Sequence, residues 1–318
     1  MMMTHRLRPF APIVLILFCS LGALTANAQT EAETRTAALL FKQYESVVYT
    51  RTDFLSNFDP DAQGSNDFAN EAVMRFPFLD LLGSMQFLAP AALSDLAKSY
   101  SAVLVGAKDF TGPNGIGMGN SRKCYIGILN AGPQPNLEPD FRQAASESIA
   151  GRHVWTWSLR LNEGDYTPTK FYAAQIGNSY FVMTNSPEDF QQAASALTAT
   201  DSSTPAAVNV FGWNSFSTHK YWAYRAFGRS GDTGSPSQMS DVVALALFAD
   251  LEKSQWFIRV HSSDKTMKTK PKVLRPSELN QLQPQGAGIW QAKLPTTNDG
   301  THNPMFGVFA LLGFGLAL

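Results

Sequence analysis

The segment Asp59-Pro60-Asp61-Ala62-Gln63-Gly64-Ser65-Asn66-Asp67 sets side-chain oxygens at alternate positions around a glycine. Calcium is held by that kind of donor set, carboxylates and amides recurring along a short loop with a glycine where the chain turns sharply. Asp59, Asp61 and Asp67 are the candidate ligands. The segment departs from the EF-hand pattern twice. Gln63 stands where Asp or Asn is favoured, and Asn70 takes the closing position, one residue ahead of Glu71. The competing reading is a polar turn leading into a helix capped by Asn66 or Asp67. No cofactor is expected from the sequence, calcium at this loop being the one candidate.

A second constellation is electrostatic. Lys265, Lys268, Lys270, Lys272 and Arg275 form a basic run without aromatic residues. Such a run can meet an anionic surface, lipid or polysaccharide; it is equally the composition of a solvated loop or a lysine-protected sheet edge. Gly112, Gly115, Gly117 and Gly119 precede Arg122-Lys123. A phosphate cradle needs a helix directly after such a loop, whereas the residues that follow alternate as a strand does, so the loop reads as a hairpin tip. Trp155 and Trp157 share a strand face with Leu159 and Leu161, the pattern of core packing rather than of a sugar-stacking platform.

Signatures of catalysis are thin. His153, His219, His261 and His302 lack metal-ligand spacing, and neither a G-x-S-x-G elbow nor an H-E-x-x-H pair occurs. Cys124 sits among apolar strand residues, where a thiol is ordinarily inert.

The elements that must position these groups follow from periodicity. Ala37, Leu40, Phe41, Tyr44 and Val48 recur at helical spacing and predict a helix over 31–55. Two further helical stretches follow, one broken near Pro77 and one opening at Pro90. From Ser101 the period becomes two, predicting strands at 101–109, 122–130, 153–162, 169–176 and 179–184, with Gly177-Asn178 at a turn. Ser186, Pro187 and Asp189 then mark a helix start, and Phe190, Ala193, Ala194 and Leu197 share one face of it. Further on, 242–249 and 255–261 read as strands, Pro276 opens a short helix, and 287–293 reads as a strand. Asp-Phe-Arg-Gln-Ala-Ala-Ser at 140–146 resembles Asp-Phe-Gln-Gln-Ala-Ala-Ser at 189–195; each follows a predicted strand and a proline, Pro139 or Pro187, which suggests duplication. This order predicts an α+β fold: an antiparallel sheet of repeated hairpin-then-helix units, helices packed on the sheet, after a helical N-terminal segment.

The expected division of the chain is a signal peptide over 1–28, a helical segment with the first α+β units over 29–200, a second α+β unit over 201–304, and an apolar stretch over 305–318. Arg6 and Arg8 precede the apolar run Ile13–Phe18, and Ala26-Asn27-Ala28 offers small residues for cleavage before Gln29. About 15 apolar residues fall short of the ~20 that a span needs. Against 25 Lys+Arg and 26 Asp+Glu overall, loss of Arg6 and Arg8 leaves a net charge of −3, which is no nucleic-acid profile. Cys19 leaves with the leader, so the processed chain keeps Cys124 alone and must be held together by its core rather than by disulfides. Residues 307–318 carry no charge; they read as a buried strand, a membrane-associated tail, or a barrel's last strand.

These observations imply an exported bacterial protein, periplasmic, secreted or envelope-associated. The leading expectation is a non-catalytic protein that binds a ligand or protein partner, with membrane association through 305–318 as a further element. An extracytoplasmic hydrolase with dispersed catalytic residues is the alternative, and an envelope structural protein held by its tail is a third. A calcium loop at Asp59–Asp67 predicts heat on calorimetric titration of the processed protein with millimolar calcium; a flat titration would remove calcium from the account.

Overall fold

The computed structural model describes residues 31–51, 99–108, 122–130, 144–159, 168–199, 211, 214–227, 241–250, 255–271 and 282–294. Residues 31–43 are helical (α1). Ala37, Leu40, Phe41 and Tyr44 of the helical repeat are all buried, and Tyr44 N donates to Leu40 O at 2.8 Å as the last turn closes. The next residues, Ser46-Val47-Val48-Tyr49-Thr50, are β-branched or aromatic at four positions of five, a composition suited to a pleated surface. They form β1 (Ser46–Arg51), so the expected helix ends about a dozen residues early.

Eleven strands follow: β2 (Tyr100–Lys108), β3 (Arg122–Leu129), β4 (Ala145–Ile149), β5 (Arg152–Leu159), β6 (Thr169–Ile176), β7 (Tyr180–Thr184), β8 (Tyr221–Ala226), β9 (Val242–Asp250), β10 (Gln255–Ser262), β11 (Gln283–Gly286) and β12 (Ile289–Leu294). Between β7 and β8 lie α2 (Pro187–Thr198) and the single turn α3 (Asn214–Ser217). All twelve strands make one sheet in the order β11-β12-β10-β9-β8-β1-β2-β3-β7-β6-β5-β4. Every pairing in it is antiparallel.

This overturns the expected α+β architecture. The described molecule is mainly β, a continuous antiparallel sheet, and not a series of hairpin-then-helix units with helices packed on the sheet. The 140–146 and 189–195 similarity does not carry over to structure: Ala145 and Ser146 begin β4, while Ala194 and Ser195 lie inside α2. A helix buries a stripe that includes positions i, i+3, i+4 and i+7. Phe190, Ala193, Ala194 and Leu197 supply it; the matching series from Phe141 closes on Ser148, and Ala150-Gly151 follows with positive φ at both residues, the geometry of a hairpin turn. The short helix expected at Pro276, the helical stretches near Pro77 and Pro90, the leader and 305–318 lie outside the described residues.

Side chains alternate between two buried faces. Val47, Tyr49, Ala102, Leu104, Cys124, Ile126, Val182, Trp222, Tyr224, Ala246 and Phe248 pack with the apolar stripes of α1 and α2 in one cluster. Their neighbours along the strands, among them Val103, Val105, Tyr125, Leu245, Leu247, Ile258 and Trp256, are buried as well. Continuous apolar runs such as Val242–Ala249 follow from this, since a strand covered on both faces has no reason to alternate with polar residues.

Two glycines make room for aromatic rings on the sheet. A Cβ on Gly106 would lie 2.6 Å from Tyr44 Cδ2 and 2.9 Å from Leu40 Cδ2, and one on Gly127 would lie 2.6 Å from the Tyr100 ring. The missing side chain lets each ring lie against the strand backbone. Gly106→Ala is expected to lower stability by about 1–3 kcal/mol, the usual cost of overpacking, read as a lower urea midpoint at unchanged slope; an unshifted midpoint would show that the Tyr44 ring is not held there.

Candidate functional site

The densest set of ionisable groups among the described residues lies at the start of α2. Ser186 is the N-cap, and its Oγ accepts from Asp189 N at 3.3 Å, as the sequence leads one to expect. Thr184 Oγ1 donates to Ser186 O at 2.7 Å and fixes the step from β7 into the helix. The Asp189 carboxylate turns toward the sheet, 3.2 Å from Arg122 Nε on β3 and 3.9 Å from Lys108 Nζ on β2. Arg122 also donates to Ser186 Oγ at 2.5 Å and to Glu188 Oε2 at 3.2 Å. Ser186 Oγ in turn donates to Glu188 Oε2 at 2.7 Å, and this hydrogen bond holds the Glu188 carboxyl below its ordinary value, with Arg122 adding to the effect.

Behind the ion pairs lie two groups that could do chemistry elsewhere. The Cys124 thiol is fully buried, and burial pushes its pKa up to about 12, with the nearby Asp189 charge adding to the rise. The Tyr44 phenol, buried beside Cys124 and Asp189, is raised further, again chiefly by burial; Lys108 Nζ sits 5.7 Å from the centroid of its ring. A nucleophile needs its thiolate, and here the thiol keeps its proton throughout the neutral range. The arrangement is a clamp: one carboxylate, only 4 % exposed at its side chain, is paired to cations from two strands and ties the helix to the sheet. Arg122 and Lys108 stay 37% and 25% exposed and share the one carboxylate, so losing either cation costs less than breaking a fully buried pair, which costs about 3–5 kcal/mol.

The histidines are dispersed. His153 packs edge-on to Trp155, His219 against Phe248, and His261 near Phe211. Burial lowers the His261 pKa, and Lys265 adds to the shift. Among the described residues no three His, Cys, Asp or Glu side chains gather as a metal ion would need. Asp59, Asp61 and Asp67, the calcium candidates, lie outside the described residues, as does the glycine loop at 112–119. Trp157 is buried and stacks on Phe171 at 5.6 Å, the core role expected of it, while Trp155 is half-buried.

The basic run is a built loop where it is described. It leaves β10 at Ser262, whose N donates to Gly288 O at 2.8 Å, and Ser263 N donates to Asp241 O at 2.9 Å. Asp264 then organises the turn. Its Oδ1 accepts from Thr266 N at 2.9 Å and Thr266 Oγ1 at 2.6 Å, and its Oδ2 accepts from Thr269 N at 3.3 Å. The Thr266 hydroxyl, followed by these backbone donors, keeps the Asp264 carboxyl below the usual carboxylate range. Met267, at φ 57°, donates back to Asp264 O at 3.3 Å. Lys265, Lys268 and Lys270 are exposed around this turn, and Pro271 beyond them is buried. Lys272 and Arg275 lie outside the described residues. Composition pointed to the lysines; the role of Asp264 was missed, although an Asp two residues before a Thr is the signal for such a turn. A cleft of about 370 Å³ lies apart from both sites, lined in part by Glu31, Arg35, Asn178, Tyr180 and Thr198. Its Arg35 guanidinium is engaged with Ala199 O at 3.0 Å and Glu31 at 3.4 Å.

Among the described residues the fold is a single twelve-stranded antiparallel sheet with helices α1, α2 and α3. No family model matches the chain, and no curated protein matches it. Two solved structures are similar to it, crystal forms III and IV of TP0453. Form III covers 81% of this chain and 93% of its own at 8% identity and a TM-score of 0.40. Form IV covers 81% and 92% at 9% identity and a TM-score of 0.39. Likeness at that level carries no inference about what this chain does. No helix among the described residues is long and apolar enough to cross a membrane.

The clamp makes a pH prediction. A thiol whose pKa rises from the ordinary range to about 12 on folding keeps its proton in the folded state while the unfolded state ionises. The unfolded chain then binds fewer protons, and stability falls with rising pH, by about 1.4 kcal/mol per unit for one group, from near 9 until the folded pKa is passed. Tyr44 adds a decline of the same sign above pH 10. Urea midpoints of wild type and Cys124→Ala should therefore converge between pH 8.5 and about 10.5 as the wild type loses stability; parallel curves would show that the thiol is not protonated by burial.

Proposed function

We propose that this chain is an exported, non-catalytic binding protein of the bacterial periplasm or cell envelope. The observation that carries the reading is the loop at 264–270, where one carboxylate is used entirely to fix backbone shape and three lysines face solvent around it. A loop whose backbone is ordered in this way presents its lysines at the surface, which suits contact with a partner's surface. The groups that would serve a hydrolase point the same way. Cys124, Tyr44 and Asp189 are enclosed against a helix and engaged in holding it, so the cluster that most resembles an active site in residue type serves as a structural fastening.

Export rests on Arg6, Arg8, the apolar run and Ala26-Asn27-Ala28. Expression of the full chain in a bacterium should yield an extracytoplasmic product whose N-terminal residue is Gln29, read by intact mass and N-terminal sequencing. Protein starting at Met1 and confined to the cytosol would overturn the exported part of the reading. Hydrolytic activity lost on Cys124→Ala, with the fold intact, would overturn the non-catalytic part.

A further inference from the structure

We infer that the face carrying Lys265, Lys268 and Lys270 is a docking surface for an anionic lipid bilayer; this deepens the binding reading above and rests on it. Charge asymmetry is the starting point. Residues 264–275 hold five cations and one acid, net +4, while the chain after Gln29 is −3 overall, so everything outside this segment sums to −7. A segment of that sign is drawn to a negative surface, while the acidic remainder of the chain is repelled by it.

The geometry then selects the kind of anion. The described cations are lysines, compact point charges rather than the bidentate guanidinium forks that grip individual phosphates. No aromatic ring lies in the loop to stack a sugar or a base. The one acid, Asp264, faces inward to Thr266 and Thr269 and takes three hydrogen bonds. Thr266 is engaged by the same carboxylate, and the lysines beside it are exposed. Diffuse attraction to a two-dimensional array of phosphates fits such a turn.

A lysine near an anionic membrane surface contributes roughly a fivefold gain in partitioning, so three contribute roughly a hundredfold. The test is co-sedimentation of the chain from Gln29 to Leu318 with vesicles of phosphatidylcholine alone and of a phosphatidylcholine–phosphatidylglycerol mixture, at low and high salt. Affinity for the phosphatidylglycerol vesicles should exceed that for neutral ones, and the excess should fall with salt. It should drop roughly a hundredfold in the Lys265→Gln/Lys268→Gln/Lys270→Gln variant and about 25-fold in the Lys265→Gln/Lys268→Gln variant, with thermal midpoints unchanged. Three results would overturn the inference: no preference for anionic vesicles, a preference that survives both variants, or equally tight, lysine-dependent capture of soluble polyphosphate, which would assign the loop to a free polyanion. Because the assay uses purified protein, failure here leaves export untouched, and a cytosolic product would leave the vesicle result standing.

Discussion

β1 pairs with β8 from Ser46↔Arg225 to Thr50↔Tyr221, and the rest of the sheet depends on that seam. Seven strands lie on the β1 side and five on the β8 side, so no other ladder joins the two groups. Trp222, fully buried, sits over the seam and stacks with Phe41 of α1 at 5.5 Å and with Tyr49 of β1 at 5.2 Å. Phe216 of α3 meets both Phe41 and Trp222 edge-on, at 5.6 and 4.7 Å. Aromatic pairs of this kind add about 0.5–1.5 kcal/mol each beyond the area they bury, so the join is held by ring contacts as well as by backbone hydrogen bonds. β1 and β8 meet at the centre of the sheet, each followed outward by antiparallel neighbours, β2 and β3 on one side and β9 and β10 on the other. Tyr49 and Trp222 are far apart in sequence, which makes the seam a costly contact to reach and places the sheet among slow-folding topologies.

What could be read from sequence was what is decided locally. β2, β3, β6, β7, β9 and β10 fall within a residue or two of their expected bounds, because apolar runs and alternation between turn residues report directly on strands. α2 was legible from its cap, since Ser186 and Pro187 act within a single turn. β1 was hidden because Val48 falls by chance four residues after Tyr44 and extends the helical pattern; the β-branched pair Val47-Val48 was the stronger signal. The helix expected after Pro139 gives way to β4 because likeness over the seven residues 140–146 says nothing about those beyond, and Ser148 stands where α2 has Leu197.

The sites divide in the same manner. The lysines of 265–270 are visible as composition, and their loop is made by residues two to five positions apart. The clamp on α2 was invisible, because Lys108 and Arg122 reach Asp189 from strands 81 and 67 residues earlier in the chain. The two sites also use a carboxylate in opposite settings. Asp189 is buried and has cations as partners, so it fastens one layer to another; Asp264 is solvated and accepts from Thr266 and Thr269, so it shapes a loop.

Enclosure of Cys124 bears on how the chain meets oxidants while it folds. In the unfolded chain that sulfur is open to oxidants and to thiols of other polypeptides; once β3 is zipped between β2 and β7 it is out of reach of both. The sheet thus acts as a shield whose closing sets a race between collapse and oxidation, and molecules that lose the race carry an adduct where the interior has no space for one.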